Sequence, residues 1–327
     1  MKIKQFFLMA ALGLMATTTL TSCEDILGEW DKPTPTNVTP SGGDDDGGST
    51  PATIPGLLAG KFTINAGGDQ IQFSQGNLQY TKSTGVWSFM DYQWSTVETN
   101  GDVGADYASQ DVVSLFGWVG ESSTTLTSDL AKYGISTSTT SSDYGTKKGS
   151  EGETLKSDWG TLTISNGGNT PNYGWRTLNK DEWTYLFNTR PGATVKSTAN
   201  VRCTMATINT DATAVKGMIL FPDGKEFADT EATWGTLNNY SDYTTQCTSA
   251  QWTALADKGC VFLPAAGCRD GSAVNGAGTY GDYWSSSPNG SGADDAYSVY
   301  FDSGHLDPAD NDGRNNGFSV RLVRPAE

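Results

Sequence analysis

Apolar residues recur at helical spacing in two places along the chain. In the first, Trp183, Leu186 and Phe187 form a stripe at positions i, i+3 and i+4, which is typical of one face of a helix. Asn179 lies ahead of this stripe with a glutamate three residues later, the spacing of a capping box. Pro191 cannot continue a helix and restricts the residue before it. The pattern therefore predicts a helix that begins after Asn179 and ends near residue 190.

The second stripe is formed by Trp252, Leu255 and Ala256. Thr248, followed three residues later by glutamine, repeats the capping-box spacing. Gly259 follows the stripe, where a glycine commonly terminates a helix. We expect a second short helix between Thr248 and Gly259.

Elsewhere the pattern favours short strands, because brief apolar or alternating runs lie between glycine, asparagine, aspartate and serine clusters. The strands are expected at residues 61–64, 70–74, 86–90, 218–221, 261–263, 283–286, 296–301 and 318–323. Two helices among many short antiparallel strands and long loops predict the α+β class. No second break in composition appears, so we expect one domain over residues 55–327.

The beginning of the chain has the pattern of an export signal. Lys2 and Lys4 precede an apolar run over residues 6–15, which is shorter than the roughly 20 residues of a spanning helix. Residues 20–23 (LTSC) resemble the lipobox of bacterial lipoproteins position by position, and in that motif the cysteine, here Cys23, carries the lipid. An ordinary signal peptide with a chance cysteine is the less favoured alternative.

These features predict a signal peptide over residues 1–22 and a lipidated Cys23 at the start of a spacer over residues 23–54. The spacer is acidic and rich in proline and glycine, a composition that cannot form a packed core. We expect an outer-membrane lipoprotein that is exposed at the cell surface.

Composition narrows the classes of partner. The chain has a net charge of −16, and loss of the two leader lysines makes it −18 (−16 − 2). Nucleic-acid binding requires clustered Lys and Arg, so nucleic acid is excluded as a partner. Anionic lipid does not attract such a surface, which leaves membrane contact to the lipid anchor. Aromatic residues reach 11%, which indicates a core built from large rings.

Four cysteines follow Cys23. An even number of cysteines in an oxidising compartment predicts up to two disulfides, with three connectivities open, and free buried thiols are the alternative. No C-x2-C spacing exists and the chain has a single histidine, so a structural zinc site is disfavoured. The cysteines are Cys203, Cys247, Cys260 and Cys268.

Several motifs carry a resemblance to known families. Residues 174–186 (GWRTLNKDEWTYL) and 316–324 (NGFSVRLVR) resemble the helix entry and final core strand of formylglycine-generating-enzyme-like domains, a branch of the C-type lectin fold. A set of shorter motifs resembles a family of exported Gram-negative lipoproteins: residues 73–80 (FSQGNLQY), 115–118 (LFGW), 261–267 (VFLPAAG) and 283–288 (YWSSSP). The resemblance implies a C-type-lectin-like fold with two principal helices.

The resemblance does not carry the enzymatic activity over. Formylglycine-generating enzymes bind copper through a close cysteine pair near the C-terminus, and the last cysteine here is Cys268. His305 is the only histidine, lies between glycine and leucine, and lacks the fixing group that a catalytic triad requires. We therefore expect no enzyme. Some members of the lipoprotein group are variable proteins of diversity-generating retroelements, which implies a mutable ligand-binding face near the C-terminus.

Residues 281–316 have the composition of such a face, because tyrosines alternate with small polar and acidic residues. We predict an adhesin- or receptor-type surface that binds a protein or glycan. The residues expected to contact the ligand are Asp282, Tyr283, Asp294, Asp295, Ser298, Tyr300, Asp302, His305, Asp307, Asp310, Asp312, Arg314 and Asn315.

Three alternatives stay open for this segment. Its aspartates and glycines are equally typical of turns that bond their own backbone. Asp310, Asp312 and Gly313 imitate part of an EF-hand loop, but the first ligand position falls on Pro308 and the twelfth on Ser319, so only an irregular calcium site is left and no other cofactor is expected. A non-catalytic assembly subunit of a pilus tip or envelope complex is the alternative function.

Overall fold

The first predicted helix forms where its capping box begins. In the computed structural model, α1 spans Lys180–Asn188. The Glu182 backbone N–H donates to Oδ1 of Asn179 and the Asn179 backbone N–H donates to the Glu182 carboxylate, each at 2.9 Å. These two bonds satisfy donors that the first helical turn leaves unpaired. The apolar stripe of α1 is buried, as its spacing predicted.

The second predicted helix, α2 (Ser249–Asp257), has the same N-terminal cap. The Gln251 backbone N–H donates to Oγ1 of Thr248 at 3.2 Å, and the Gln251 side chain accepts from the Thr248 N–H at 2.9 Å. Trp252 and Leu255 are buried on the inner side of this helix. Both helix predictions are therefore confirmed.

The structure describes residues 54–97, 101–102, 110–120, 134–144, 157–168, 173–210, 212–237, 240, 242–289 and 294–327. The predicted signal peptide, Cys23 and the spacer lie outside these residues. The described residues from 54 onward belong to one compact unit. None of their helices is long and apolar enough to cross a membrane.

The described residues contain nineteen strands. Numbered β1 to β19 in chain order, they are Phe62–Thr63, Gln70–Phe73, Leu78–Thr81, Val86–Phe89, Gly101–Asp102, Val112–Val113, Ala193–Val195, Thr198–Val201, Cys203–Asn209, Ala214–Leu220, Glu226–Phe227, Thr245–Thr248, Val261–Pro264, Cys268–Asp270, Ala273–Asn275, Gly281–Pro288, Asp295–Phe301, Leu306–Gly313 and Val323–Pro325. Their sheets are small, with the strand orders β1-β2-β19, β12-β9-β10-β13, β11-β7-β8, β14-β15-β5, β16-β17-β18 and β4-β3-β6.

The prediction of an α+β, C-type-lectin-like fold is wrong. The described residues are mainly β, the two helices have nine residues each, and no clear two-helix lectin arrangement is present. Segments that lack apolar alternation form strands nonetheless, because backbone pairing does not require apolar side chains. β18, with the sequence LDPADNDG, pairs with β17 along nearly its whole length. β9, rich in threonine, is the second strand of a four-stranded sheet.

Residues 316–323 tie several sheets together instead of forming the predicted strand over 318–323. The backbone of Gly317 bonds Arg269, that of Phe318 bonds Phe116, and that of Ser319 bonds residues 282 and 284 of β16. Further along, the carbonyl groups of residues 320 and 322 accept from the N–H groups of residues 78 and 74. Through their backbone, residues 317–322 therefore bond four separate parts of the chain, at residues 74–78, 116, 269 and 282–284, and the continuous strand β19 begins only at Val323.

Large rings fill the interior, as the composition predicted. Among the largest fully buried side chains are Trp118, Trp159, Trp183, Trp252 and Trp284. The sheet β16-β17-β18 lies between two buried clusters of apolar residues. One face contributes Tyr283, Val299 and Phe301 to the cluster around Trp183, and the other face contributes Trp284 and Ala296 to a cluster with Phe318. Both faces of this sheet are therefore largely inside the protein.

Candidate functional site

The register of β16, β17 and β18 brings acidic and tyrosine side chains to one face. Asp282 of β16 lies opposite Tyr300 of β17, and Ser298 of β17 lies opposite Asp310 of β18. A bulge in β18 then places Asp307 opposite Tyr300. Because alternate residues of a strand share a face, these side chains line the same side of the sheet.

Two of these side chains form a buried floor. Asp282 is 4% exposed and Ser298 is 1% exposed. Oγ of Ser298 has no hydrogen-bond partner within the described residues. Buried polar groups in folded proteins are nearly always hydrogen-bonded, so the unsatisfied Ser298 hydroxyl beside a buried carboxyl group marks this place as unusual.

Half-buried tyrosines flank the floor. The ring centroids of Tyr280 and Tyr300 are 5.7 Å apart, at an interplanar angle of 39°. The Tyr280 hydroxyl lies 3.2 Å from Sγ of Cys268, on the hairpin strand β14. We call Asp282, Ser298, Tyr280, Tyr300 and Asp310 the acid–tyrosine cluster.

The acidic groups of the cluster oppose one another's ionisation, and the positive charge that opposes the burial-induced rise in the pKa of Asp310 is that of His305. Burial, followed by the charges of Asp310 and Asp312, raises the pKa of Asp282 well above its ordinary value. Burial also raises the pKa of Asp310 and of Asp312. The phenol pKa values of Tyr280 and Tyr300 are raised as well, chiefly by burial. Every one of these shifts opposes the negatively charged form, so a ligand that supplies positive charge would relieve them.

Three of the predicted contact residues bond their own backbone, as the turn alternative held. Asp302 accepts from the Gly304 N–H at 2.8 Å and also from the Tyr300 hydroxyl at 2.8 Å. Oδ1 of Asp307 accepts from Ala309 at 2.9 Å, and Oδ1 of Asp312 accepts from the next residue at 2.7 Å. These aspartates shape the ends and the bulge of β18.

The remaining acidic residues and the histidine lie toward the surface. His305 is exposed in the turn between β17 and β18, with its ring centroid 5.9 Å from that of Tyr300. Asp294 is exposed and Asp295 is half-buried at the start of β17. The carbonyl groups of both accept from Arg314, at 2.8 Å from its backbone N–H and 3.2 Å from its Nε.

Three predicted contact residues are placed elsewhere. Tyr283 is fully buried on the opposite face and donates to the Pro264 carbonyl at 2.9 Å, so it is a core residue. Arg314 is 1% exposed, with its guanidinium 4.5 Å from the centroid of the Trp118 ring. Asn315 is half-buried and accepts from the Ser141 hydroxyl at 2.5 Å. Alternation along β16 puts Tyr283 on the core side, because Asp282 takes the other face.

The four cysteines are free thiols, so the structure contains neither of the predicted disulfides. Cys203 belongs to the buried cluster around Trp183, whereas Cys247 and Cys260 belong to the cluster around α2. Cys268 borders a third cluster. Burial raises the pKa of Cys203 to about 11 and that of Cys247 to about 12, which disfavours the reactive thiolate.

The described residues contain no group of three or more His, Cys, Asp or Glu side chains that could hold a metal ion. The irregular calcium site stays a prediction. Two surface cavities lie apart from the acid–tyrosine cluster. One, of about 390 Å³, is lined by Phe187, Asn188, Asn200, Arg202, Cys203 and Tyr240, and the other borders the segment 226–231.

Sequence reasoning missed Tyr280 and Cys268 as members of this site. Tyr280 precedes β16 and stands two positions before Asp282, a spacing that places both on one face of an extended chain. That signal was available in the sequence. The sequence gives no signal that Cys268 lies close to Tyr280, because this contact depends on how the β14–β15 hairpin folds back beside β16.

Comparison with known proteins identifies one family match. Residues 238–323 match a family model described as a domain of unknown function (DUF8237). The match covers 86 residues (323 − 238 + 1) and includes the whole acid–tyrosine cluster. No curated protein and no solved structure matches the chain.

Proposed function

We propose that this protein is an exported lipoprotein, anchored through Cys23, that binds a protein or glycan ligand at the C-terminal sheet β16-β17-β18. The observation that carries the binding proposal is the buried floor of Asp282 and the unsatisfied Ser298 hydroxyl beneath half-buried tyrosines. Tyrosine supplies contact area at low entropic cost, and unsatisfied polar groups gain from any partner that bonds them. Export is supported by Lys2 and Lys4, the apolar run and the lipobox-like residues 20–23.

The proposed binding surface contains fewer residues than the sequence predicted. Tyr283 and Arg314 are buried, so the proposed surface comprises the acid–tyrosine cluster with Asp302, His305 and Asp307 at its border. Diversification of this segment stays a prediction. A near-identical template repeat and a reverse-transcriptase gene beside the coding sequence would support it, and an ordinary neighbourhood would contradict it.

The assembly-subunit alternative depends on an edge strand that can pair with another chain. β18 is the last strand of its sheet in the described part of the chain. It carries Pro308, three aspartates and a bulge, and natural edge strands use these devices to block pairing. We therefore favour a ligand-binding surface over strand addition.

The test is binding of the purified mature chain to an array of glycans and surface proteins. We expect a specific signal that is lost when Tyr300, Asp302 and His305 are replaced together by alanine. A matched control replaces the exposed Asp91 and Tyr92, which removes a carboxylate and a ring from another part of the surface. Equal signals from the triple variant and the wild type would refute the proposed surface.

A further inference from the structure

We propose that the acid–tyrosine cluster binds the ammonium group of a lysine side chain presented by a protein partner. This inference rests on the proposed function, because it names the ligand of that surface. The starting observation is geometric: Asp282 is nearly fully buried and shares a face with Ser298 and Asp310.

A second, independent observation points to a ligand at the same place. The Ser298 hydroxyl is 1% exposed and has no partner of its own. Its register position, beside Trp284 and opposite Asp310, turns it to the face that Asp282 occupies. A hydroxyl can accept a hydrogen bond from an ammonium group, which has three donors and no acceptor. One incoming –NH₃⁺ would therefore satisfy both the carboxylate and the hydroxyl.

The neighbouring rings favour an organic cation. Tyr280 and Tyr300 flank the floor with their rings 5.7 Å apart. A cation near the face of a tyrosine ring is attracted by the ring quadrupole.

The burial of Asp282 favours a lysine side chain over an arginine side chain or an amino sugar. Since Asp282 is only 4% exposed, the cation must arrive on a thin stem that fits beside the half-buried tyrosines. Lysine presents a compact charge on a flexible four-carbon chain whose methylene groups can lie against apolar surface. An amino sugar carries its nitrogen directly on a bulky ring, and arginine ends in a broad planar group.

Binding should release a proton. Burial raises the pKa of Asp282 in the free protein, and an incoming ammonium group favours the ionised carboxylate, so binding is expected to lower that pKa. The titratable groups that face Asp282 are Asp310 and Asp312 from β18, Tyr300 from β17, Cys268 from β14, Tyr280 ahead of β16, and the adjacent Tyr283.

The experiment is calorimetric titration of the mature chain with a glycine–lysine peptide at low ionic strength, in two buffers of different ionisation enthalpy. We expect binding with proton release and at least tenfold weaker binding of the same peptide when its lysines are Nε-acetylated. Asp282→Asn should weaken binding at least tenfold. It is also expected to fold, because the amide imitates the neutral acid. Ser298→Ala should weaken binding severalfold and provides a second variant at the floor.

The matched control is Asp257→Asn, which makes the same carboxyl-to-amide change at the exposed end of α2 and should bind within twofold of the wild type. Equal weakening by Asp257→Asn and Asp282→Asn, or equal binding of the acetylated peptide, would overturn the inference. Binding of glucosamine in place of the peptide, lost in Asp282→Asn, would overturn the assignment to a protein partner. An array signal that depends on Tyr300 while the lysine peptide does not bind would leave the proposed function standing and defeat this inference alone.

Discussion

Arg321 and Asn77 are joined inside the protein by a hydrogen bond of 2.9 Å from the arginine Nε to Oδ1 of the amide. The same guanidinium donates to the carbonyl groups of Ser74 at 3.0 Å, Gln93 at 3.2 Å and Phe262 at 2.8 Å. Arg321 is 1% exposed, and burial lowers its pKa to about 10. A buried arginine thus organises four segments through oxygen atoms of amide and peptide groups.

Replacing Arg321 by methionine should destabilise the protein strongly. Several buried acceptors lose their donor, and each unsatisfied group costs about 1–3 kcal/mol, so we expect a loss of roughly 3 kcal/mol or more. Urea unfolding followed by tryptophan fluorescence measures the change. Lys180→Met is the control, since its ion pair with Asp181 is at the surface and should contribute about 1 kcal/mol at most. Similar unfolding midpoints for the two variants would contradict the prediction.

The buried pair Arg190–Asp223 gives a second stability prediction. Nη1 of the arginine lies 2.6 Å from the carboxylate, and the side chains are 0% and 11% exposed. The carboxylate also accepts from the backbone N–H and the hydroxyl of Thr63, at 2.7 and 2.6 Å. Removing one partner leaves an uncompensated buried charge, so Asp223→Ala should cost roughly 3–5 kcal/mol in unfolding free energy. Asp181→Ala, at an exposed pair, should change it little, and a comparable loss there would rule this explanation out.

Glycine geometry beside the acid–tyrosine cluster allows a matched pair of variants. Gly276 and Gly278 both have positive φ, +70° and +77°, so alanine at either position is strained by about 1–2 kcal/mol. A Cβ at Gly276 would also overlap the ring of Tyr280, whereas one at Gly278 meets nothing within 4 Å. We therefore expect Gly276→Ala to be the less stable variant and to weaken ligand binding, because it displaces the Tyr280 ring. Thermal unfolding and the peptide titration check both effects, and identical behaviour of the two variants would disprove the overlap.

Asp282 predicts an unusual dependence of stability on pH. Its pKa in the folded protein is raised above the ordinary value of 3.8, so the folded state binds a proton that the unfolded state releases. Stability from this group is therefore full below the ordinary value and falls as pH rises toward the folded pKa, with a slope of at most about 1.4 kcal/mol per pH unit. Asp310 and Asp312 contribute with the same sign.

Asp282→Asn should flatten this fall, so that the variant becomes more stable than the wild type at neutral pH. Urea unfolding at a series of pH values from 4 to 8 provides the measurement. Parallel curves for the variant and the wild type would show that the carboxylate titrates normally.

The anchor proposal predicts lipid labelling. Cells that express the wild-type chain with radiolabelled palmitate should incorporate the label into the protein, and Cys23→Ala should not. The four later cysteines are the internal control, because a label on any of them would persist in the variant. Equal labelling of both chains would refute anchoring through Cys23.

The helices could be predicted from the sequence because their signals are local. Asn179 and Thr248 each fix a helix start through bonds within three residues, and the structure has both. The fold class could not be predicted in the same way. β18 contains no apolar alternation, and its strand conformation depends on pairing with β17. A pairing partner is a long-range property, which the periodicity of a single segment does not report.

The site was predicted in part for a similar reason. The composition of residues 281–316 indicated one sheet, and Asp282, Ser298, Tyr300 and Asp310 share a face of it, whereas their role in binding stays a prediction. Tyr283 was included by proximity in sequence although strand alternation turns it inward. The interior position of Ser298 arises because this sheet has buried clusters on both faces, a feature of the tertiary arrangement alone.

The segment at residues 316–323, which bonds several sheets, has a consequence for how this protein folds. Every segment that it bonds precedes it in the chain, so each of those partners is synthesised before the segment itself. The backbone hydrogen bonds that join these sheets cannot form until residues 316–323 have been synthesised. If the chain is exported as we propose, it passes unfolded through the secretory channel, which carries unfolded polypeptides. It completes its fold only after export.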